Sequence, residues 1–319
     1  MRIAGIAALS GVAGLFGMLA LPTLAQQASE PTVAYAWSPK PDTIRPYGPN
    51  RPITRLKEVL AAHKGQASWS SDILQTKRWS AKWIQMAPGE KTRAQFYGDD
   101  RTVWVVWDGQ IRFTIAGQQP FVASKGFIVQ APPRVAYSME TVGNKPSLRY
   151  EVTHAGRMPL FPADDNAPAP ADTPETHYIK ISSPTQPIAY TGVNRPYVDF
   201  LKDVVAADPT HGPKNGLVVE EDDMVVNIIR GQGFPLPPPS NLGHFHLDLD
   251  EFWFILEGKI DYQIEGVGVV TADAGDVALA PAYRWHRASW HAGQMDTRLS
   301  FGTRPGLFHD FAENAGAKQ

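Results

Sequence analysis

His244-Phe-His246-Leu-Asp-Leu-Asp-Glu251-Phe-Trp-Phe-Ile-Leu-Glu-Gly258 places two histidines, a glutamate and a turn glycine at close spacing. Alternate residues of a β-strand face the same side, so His244 and His246 can converge on one metal ion. Glu251 follows His246 by five residues, an odd step that requires a bulge or a corner within 247–250. Glu257-Gly258 separates two apolar runs and predicts a hairpin turn.

A second element downstream, Gly275-x5-Pro281-x4-His286, offers a further imidazole on a later strand. Three imidazoles and one carboxylate form a donor set that binds a divalent transition metal. The alternative is that these histidines are ordinary polar residues of a barrel, since a single His-x-His is weak evidence. The remaining histidines have no ligand-type residues or Gly and Pro at motif spacing around them and are expected to be surface or hydrogen-bonding residues: His63, His154, His177, His211, His291 and His309.

At these residues the chain resembles the cupin superfamily. The first cupin motif, G-x5-H-x-H-x3,4-E-x6-G, is matched by His244, His246, Glu251 and Gly258, and the second, G-x5-P-x-G-x2-H-x3-N, by Gly275, Pro281 and His286. Pro238, Tyr283 and Trp290 replace motif residues that are not metal ligands. The resemblance implies a mononuclear metal site made by the three histidines and Glu251.

The rest of the chain is mostly short β-rich runs separated by Gly, Pro and Asp turns, which is typical of antiparallel jelly-roll barrels. These runs predict an all-β fold, and the cupin resemblance implies two tandem cupin/jelly-roll barrels with a short helix leading into each. An internal repeat supports the tandem arrangement: Gly109 and Gly258, Gly126 and Gly275, and Pro132 and Pro281 are all 149 residues apart. A constant offset across three landmarks indicates a duplication.

Two leader segments belong to the same repeat. Asn50-Arg-Pro52 and Asn194-Arg-Pro196 each precede apolar residues at helical spacing, which predicts a helix with proline in its first turn. The predicted organisation is, in chain order, a signal peptide 1–25, an irregular arm 26–49, a degenerate N-terminal barrel 50–161, a Pro/Ala/Asp linker 162–176, a metal-binding C-terminal barrel 177–312 and a tail 313–319.

The first barrel is expected to bind no metal. At the offset of 149 the four ligand positions are occupied by Gln95, Tyr97, Thr102 and Tyr137, which cannot supply three or four transition-metal donors. This barrel is therefore expected to be a scaffold or lid. A pocket lined by Trp104, Trp107 and Tyr137 is the alternative to packing of those rings in its core.

The N-terminus predicts export. Arg2, the apolar run 3–21 and small residues at Thr23 and Ala25 are typical of a secretory signal peptide cleaved before Gln26. An uncleaved membrane anchor is the alternative. A periplasmic or secreted location follows, and with no cysteine among the 319 residues no disulfide is possible there.

Composition excludes some partners. Acidic and basic residues nearly balance, with a formal net charge of −2, and the sequence contains no basic stripe, so a nucleic-acid partner is not expected. A membrane partner is not expected after cleavage of the signal peptide. A small-molecule substrate, with a carboxylate or an aromatic group, is the predicted partner, and a homo-oligomer is an open possibility.

The site chemistry leaves several functions open. Mn, Fe, Cu, Ni and Zn are all compatible with the donors. The cupin resemblance implies an oxidoreductase, of the dioxygenase or oxalate oxidase/decarboxylase kind, acting on a small oxygen-chelating organic acid or enol. The alternatives are an oxygen-independent metal-assisted lyase, isomerase or hydrolase, and a non-enzymatic protein that binds a small ligand or metal.

Several neighbours of the ligands are candidate substrate or support residues. Arg284 lies two residues before His286 and is the candidate to pair with a substrate carboxylate, with a surface ion pair as the alternative. Tyr283 or His291 is the candidate base. Two further groups each have two possible roles. The tryptophans either line a substrate pocket or pack in the core: Trp253, Trp285 and Trp290. Asp248 and Asp250 either accept hydrogen bonds from imidazole N–H groups or are solvated turn residues.

Overall fold

The computed structural model describes residues 36–163, 167–185, 190, 192–233, 242–291 and 293–304, together with the backbone of 309–310. The predicted signal peptide 1–25 and tail 313–319 lie outside these residues. No helix in the described ranges is long and apolar enough to cross a membrane. All secondary-structure elements belong to one compact unit that begins at Ser38.

The N-terminal half is built almost entirely of strands. Its elements are β1 Ile53–Thr54, α1 Leu56–Ala62, β2 Trp69–Gln75, β3 Trp79–Met86, β4 Thr102–Asp108, β5 Gln110–Ile115, β6 Phe121–Ala123, β7 Phe127–Ala131, β8 Tyr137–Val142 and β9 Ser147–His154. The helix uses strong helix formers, Leu-Lys-Glu-Val-Leu-Ala-Ala, and buries Leu56 and Val59.

The C-terminal half repeats this order. Its elements are β10 Tyr197–Asp199, a π-helix Phe200–Val205, β11 Leu217–Glu220, β12 Val225–Gln232, β13 His244–Phe245, β14 Glu251–Glu257, β15 Lys259–Ile264, β16 Gly268–Asp273, β17 Val277–Ala280, β18 His286–Trp290, β19 Met295–Gly302 and β20 His309–Asp310. The described positions of the predicted linker 162–176 contain neither helix nor strand.

Each half forms two facing antiparallel sheets, as predicted for tandem jelly rolls. The first barrel pairs a large sheet in the order β10-β7-β4-β9-β3-β2 with a small sheet β6-β5-β8. The second barrel pairs a large sheet β1-β17-β14-β19-β12-β11 with a small sheet β16-β15-β18-β13-β20. The all-β prediction of two tandem barrels is confirmed.

The two leader strands are exchanged between the barrels. Strand β1, at the start of the first half, pairs with β17 of the second barrel through Ile53 and Ala278. Strand β10, at the start of the second half, pairs with β7 of the first barrel through Val198 and Ile128. Each leader therefore precedes one barrel along the chain and completes the large sheet of the other.

The prolines of the leaders do not begin helices. Pro52 and Pro196 each lie directly before a short strand, and the helix follows that strand. Asn50 instead pairs with the backbone at the end of β2: its Oδ1 accepts from Gln75 N at 2.7 Å and its Nδ2 donates to Gln75 O at 2.7 Å. Asn194 makes the same two bonds to Glu220 at the end of β11. A short helix does lead into each barrel as predicted, but it begins after the leader strand and not at the proline.

Two motif glycines leave room for the exchanged leaders. Gly275 has a φ of +92°, and a Cβ placed there would lie 2.5 Å from Leu56 Cδ2 of α1. Gly126 has a φ of +91°, and a Cβ there would lie 3.0 Å from Leu201 Cγ of the π-helix. Both the left-handed backbone and the close approach require glycine, so the spacing noticed in the sequence serves the contact between leader and barrel.

The core has three parts. Each barrel encloses an apolar cluster between its own two sheets. The third and largest cluster lies between the two large sheets and joins the barrels. There Tyr150 stacks on Phe254 with ring centroids 4.7 Å apart, and Trp79 meets Phe252 edge-on at 5.8 Å. Alternate residues of each large-sheet strand therefore face this shared core or the barrel interior.

The duplication holds in backbone detail. Strands β4 and β14 have bounds that differ by 149 residues at both ends, and so do β5 and β15. The β4–β9 register shifts between Val106 and Asp108, and the β14–β19 register shifts at the equivalent Ile255 and Glu257. Equivalent positions of the two barrels can therefore be compared residue by residue.

Candidate metal centre

The four predicted ligands meet at one end of the second barrel. His244 on β13 lies directly opposite His286 on β18 in the antiparallel register. His246 follows β13, and Glu251 is the first residue of β14. Residues 246–250 form the irregular connection between these strands, and this corner allows Glu251 to face the histidines despite the odd spacing.

The donor atoms are close enough to share one ion. Glu251 Oε2 lies 2.8 Å from His246 Nε2, 3.0 Å from His286 Nε2 and 3.5 Å from His244 Nε2. The Nε2 atoms of His286 and His244 are 3.1 Å apart. Two donors each about 2.1 Å from one ion lie about 3.0 Å apart at right angles and about 3.4 Å apart at the tetrahedral angle. The donor set fits a divalent metal, and three of these four distances match right-angle coordination.

Protonation also suits metal binding. His286 Nδ1 lies 2.9 Å from Arg284 O, so the proton of the neutral ring is placed on Nδ1 and the lone pair of Nε2 faces the other donors. Burial lowers the pKa of His286 and outweighs the opposing effect of Glu251. Burial alone raises the pKa of Glu251, but hydrogen bonds with His244, His246 and His286 hold it well below its ordinary value. The site therefore presents an ionised carboxylate and a neutral His286 imidazole.

The second oxygen of Glu251 is engaged elsewhere. Trp253 Nε1–H donates to Glu251 Oε1 at 3.1 Å, and Ser300 Oγ–H donates to the same oxygen at 3.1 Å. Trp253 is 1% exposed and its indole stacks on Tyr262 at 4.8 Å. Of the two roles left open for Trp253, packing in the core is the one that the structure shows.

Arg284 does not face the metal cluster. Its guanidinium donates to Glu265 O at 2.7 Å and to Arg45 O, and it lies over the Tyr47 ring at 4.5 Å. These contacts fasten the N-terminal arm to the barrel. The two-residue step to His286 predicted a shared face, but the backbone before β18 is a turn and not a continuous strand. The guanidinium is therefore placed against backbone carbonyls and not toward a substrate.

Tyr283 has a backbone role. Its φ is +67°, and its N–H donates to His246 O at 2.6 Å, which fixes the loop that carries this ligand. Arg134, the equivalent residue of the first barrel, has a φ of +62° and donates to Tyr97 O at 2.7 Å. The Tyr283 ring contacts Arg45. A catalytic role for this tyrosine stays a prediction.

Trp285 and Trp290 pack against glycines. Trp285 Nε1–H donates to Leu242 O at 3.0 Å, and its indole leaves no room for a Cβ at Gly243. The Trp290 indole likewise leaves no room for a Cβ at Gly231. Both indoles are therefore packing residues in the described part of the chain.

The other predicted neighbours lie at the edge of the site. His291 Nδ1 is 3.1 Å from Asp261 Oδ2, so this partly exposed ring is hydrogen-bonded to a carboxylate. Asp250 Oδ1 accepts from Ala282 N at 2.9 Å and so braces the turn before β18. Asp248 is exposed. The solvated-turn interpretation suits Asp248, and Asp250 supports the backbone.

The first barrel has a different polar interior at the equivalent place. Gln95 and Tyr137 form the same antiparallel bridge as His244 and His286, and Gln95 Nε2 donates to Tyr137 Oη at 3.0 Å. Burial raises the pKa of Tyr137 above its ordinary value, so the phenol stays neutral. Trp104 is fully buried and Tyr137 nearly so, which makes them core residues. Among the described residues, these positions offer no metal-ligand cluster.

A carboxylate is nevertheless present in the first barrel. Glu151, the equivalent of Ser300, accepts from Trp104 Nε1–H at 2.7 Å through Oε2. Its Oε1 lies 3.0 Å from Lys82 Nζ. A lysine ammonium therefore neutralises the buried acid of this barrel.

Two features of the second barrel escaped the sequence interpretation. The Ser300 contact depends on cross-strand register, which no local motif reveals. Arg298, two residues earlier on β19, lies over the Trp253 ring at 5.3 Å and the Tyr262 ring at 5.8 Å. Among the described residues its contacts are with these two rings, and its charge acts on the Tyr262 hydroxyl.

A second acidic cluster lies away from the metal centre. Asp100, His154 and Asp223 have donor atoms within 4.8 Å of one another. Arg157 Nε already binds Asp100 Oδ2 at 3.0 Å, and His154 Nδ1 lies 2.9 Å from Asp100 Oδ1. Protein cations therefore neutralise Asp100, and this group is an ion-pair network that spans the two halves.

Comparison with known proteins agrees with this architecture. Residues 236–301 match the family model of the cupin domain. Curated proteins give no significant match. Among solved structures, a cupin 2 conserved barrel domain protein from Leptotrichia buccalis shares the fold with a TM-score of 0.52 and 12% identity, covering 79% of this chain and 96% of that one.

Two oxalate decarboxylases are more distant. The Bacillus subtilis enzyme has a TM-score of 0.45 and 10% identity, covering 77% of this chain and 74% of its own. The Lactobacillus farciminis enzyme has a TM-score of 0.46 and 12% identity, covering 77% and 84%. The motif ligands are assembled in the second barrel, which contains the cupin domain of residues 236–301, and the first barrel repeats its architecture, which gives the chain the two-barrel arrangement of a bicupin.

Proposed function

We propose that this bicupin is an exported, metal-dependent oxidoreductase acting on a small oxygen-chelating organic acid or enol. The observation that carries the proposal is the cluster of three imidazoles around one oxygen of an ionised Glu251. Three neutral imidazoles and one carboxylate leave a divalent ion with a net charge of +1. A cation of that charge favours an anionic, oxygen-donating substrate over a neutral one.

His244, His246, Glu251 and His286 would hold the ion. When bound, the metal supplies Lewis-acid polarisation of a coordinated oxygen and, for Mn, Fe or Cu, redox capacity. A six-coordinate ion held by these four donors would keep two positions for exogenous ligands. Tetrahedral Zn²⁺ matches three of the four donor distances less well.

Access to the centre is one-sided. The side chains of His244 and Glu251 are 20% and 14% exposed, whereas those of His246 and His286 are 7% and 3% exposed. A substrate therefore approaches past His244 and Glu251. Burial of the other two imidazoles limits the access of water to that side of the ligand cluster.

Arg298 supports an anionic substrate. Its guanidinium lies inside the barrel, held over Trp253 and Tyr262. The residue is partly exposed, so its positive charge could attract a substrate anion. Arg298 replaces Arg284 as the basic residue that would attract a substrate carboxylate.

Export is part of the proposal and rests on residues 1–25, which lie outside the described ranges. A signal peptide cleaved before Gln26 would leave the two barrels in a periplasmic or extracellular space. Recovery of the protein from that compartment, with N-terminal sequencing that reads Gln26 as the first residue, tests this part separately.

Elemental analysis with oxygen-uptake assays tests the enzyme proposal. The exported protein should hold about one equivalent of Mn, Fe or Cu, and the His246→Ala variant should hold almost none. Oxygen uptake or product formation is then measured with oxalate and a panel of small hydroxy and oxo acids. Turnover of an acid without oxygen uptake would favour lyase-type chemistry, and saturable binding without turnover would favour a binding protein.

A further inference from the structure

We propose that Trp253 and Ser300 are positioning residues that hold Glu251 in a one-oxygen binding mode, with Oε2 toward the metal and Oε1 turned away. This inference rests on the metal centre in the proposed function. It assigns a task to two residues outside the ligand set, one of which, Ser300, no sequence motif singles out.

The two donors come from one cross-strand pair. Trp253 lies two residues after Glu251 on β14, so both side chains face the barrel interior. Ser300 lies directly opposite Trp253 in the β14–β19 register. Their N–H and O–H groups reach the same atom, Glu251 Oε1, each at 3.1 Å. Glu251 Oε2, the other oxygen, is the atom within 2.8–3.5 Å of the three imidazoles.

The indole has little freedom to release its acceptor. Trp253 is 1% exposed, stacks on Tyr262 at an interplanar angle of 27°, and meets the His286 ring edge-on at 5.2 Å. A buried N–H left without an acceptor is unfavourable, because no water replaces the lost hydrogen bond. Rotation of Glu251 that brought Oε1 to the metal would break this bond and the one from Ser300.

The first barrel gives independent support. Trp104, the equivalent of Trp253, also donates its indole N–H to a buried carboxylate, at 2.7 Å. That carboxylate is Glu151, which stands at the position of Ser300 on the neighbouring strand. The carboxylate lies on β14 in the second barrel and on β9, the equivalent of β19, in the first. In both barrels the tryptophan at the same position donates its indole N–H to that carboxylate. Holding a carboxylate is therefore the shared task of these two indoles.

A one-oxygen carboxylate has a direct consequence for the metal. A carboxylate that bound through both oxygens would use a further coordination position. Restraining Oε1 keeps that position available for a substrate or another exogenous ligand. It also fixes the carboxylate plane before the ion arrives, which reduces the entropy lost on binding.

The test uses the full chain freed of metal and loaded with Mn²⁺ or Co²⁺. Dissociation constants are measured by competition with a chelator, and the visible absorption of bound Co²⁺ reports the coordination number. Ser300→Ala and Trp253→Phe should each raise the metal dissociation constant by about 10-fold or more. Both should also change the Co²⁺ spectrum, because a freed Glu251 would supply a second oxygen in place of an exogenous ligand. Ser300→Thr, which keeps the hydroxyl, should restore wild-type values.

Trp104→Phe is the matched control, because it makes the same change in the equivalent strand of the other barrel and should leave both readouts as in the wild type. If Trp253→Phe fails to fold, as judged by circular dichroism, Ser300→Ala decides alone. Wild-type affinity and spectrum in Ser300→Ala would overturn the positioning role while leaving the metal centre intact. Equal lack of metal in wild type and His246→Ala would overturn the centre and this inference together.

Discussion

His244 and His286 lie directly opposite each other on neighbouring antiparallel strands, with their Nε2 atoms 3.1 Å apart. The same bridge joins Gln95 and Tyr137 in the first barrel. Two barrels of one backbone design therefore differ in donor chemistry at the same place.

The first prediction concerns metal content. Replacing His286 with Ala should lower bound metal from about one equivalent to a small fraction, because the ion loses a buried neutral imidazole. Tyr137→Phe, at the equivalent position of the first barrel, should leave metal content unchanged. Elemental analysis of the purified proteins measures both, and a stoichiometric loss in the tyrosine variant would place metal in the first barrel.

The second prediction concerns the leader contact. Gly275→Ala should destabilise the fold by about 1–2 kcal/mol for the left-handed backbone and by about 1–3 kcal/mol more for overpacking against Leu56. Gly156→Ala is the control, since Gly156 has a φ of +73° with open space around it. Urea unfolding measures the loss of stability in both variants. Equal losses would mean that Leu56 moves aside without a measurable loss of stability.

The third prediction concerns the core between the barrels. Phe254 is fully buried and stacks on Tyr150 of the other barrel. Phe254→Ala should cost about 3–5 kcal/mol and should lower the stability of both barrels together. Unfolding followed by near-ultraviolet circular dichroism and by intrinsic fluorescence should show a single shifted transition. Two separated transitions, with one unchanged, would show that the barrels unfold independently.

The fourth prediction concerns pH. Burial alone lowers the pKa of His154, but its hydrogen bonds with Asp100 and with the backbone of Asp223, and the charge of Asp100, raise the net pKa above the ordinary value. The folded protein then holds the proton more tightly than the unfolded chain does. The resulting stability is fully present below the ordinary histidine pKa and is lost as the pH rises through the raised pKa. The free-energy difference between wild type and His154→Gln should therefore shrink with rising pH, and a constant difference would contradict the assignment.

Much of the fold was predictable because its signals are local. The His-x-His pair, the turn glycine Gly258 and the offset of 149 residues predicted the hairpin at 257–258, the duplication and the four residues that meet at the candidate centre. The corner before Glu251 followed from an odd spacing in a structure of period two.

What escaped prediction depends on partners far away in the chain. Arg284 reads as an inward-facing neighbour of His286, yet its guanidinium binds the carbonyl of Arg45 in the arm. Nothing in the local sequence distinguishes Ser300 from other strand serines, and only the strand register shows that it lies opposite Trp253. Asn50 reads as the start of a helix, because spacing alone does not reveal the backbone of Gln75 beside it.

The exchange of β1 and β10 has a consequence for the origin and the dissection of this molecule. A single barrel with its own leader could complete its large sheet in this way only by giving the leader to a second copy and receiving one in return. The tandem chain therefore has the arrangement of a domain-swapped dimer joined into one polypeptide. Cutting it at the linker would not yield two self-sufficient proteins, but two fragments that each carry the strand the other lacks.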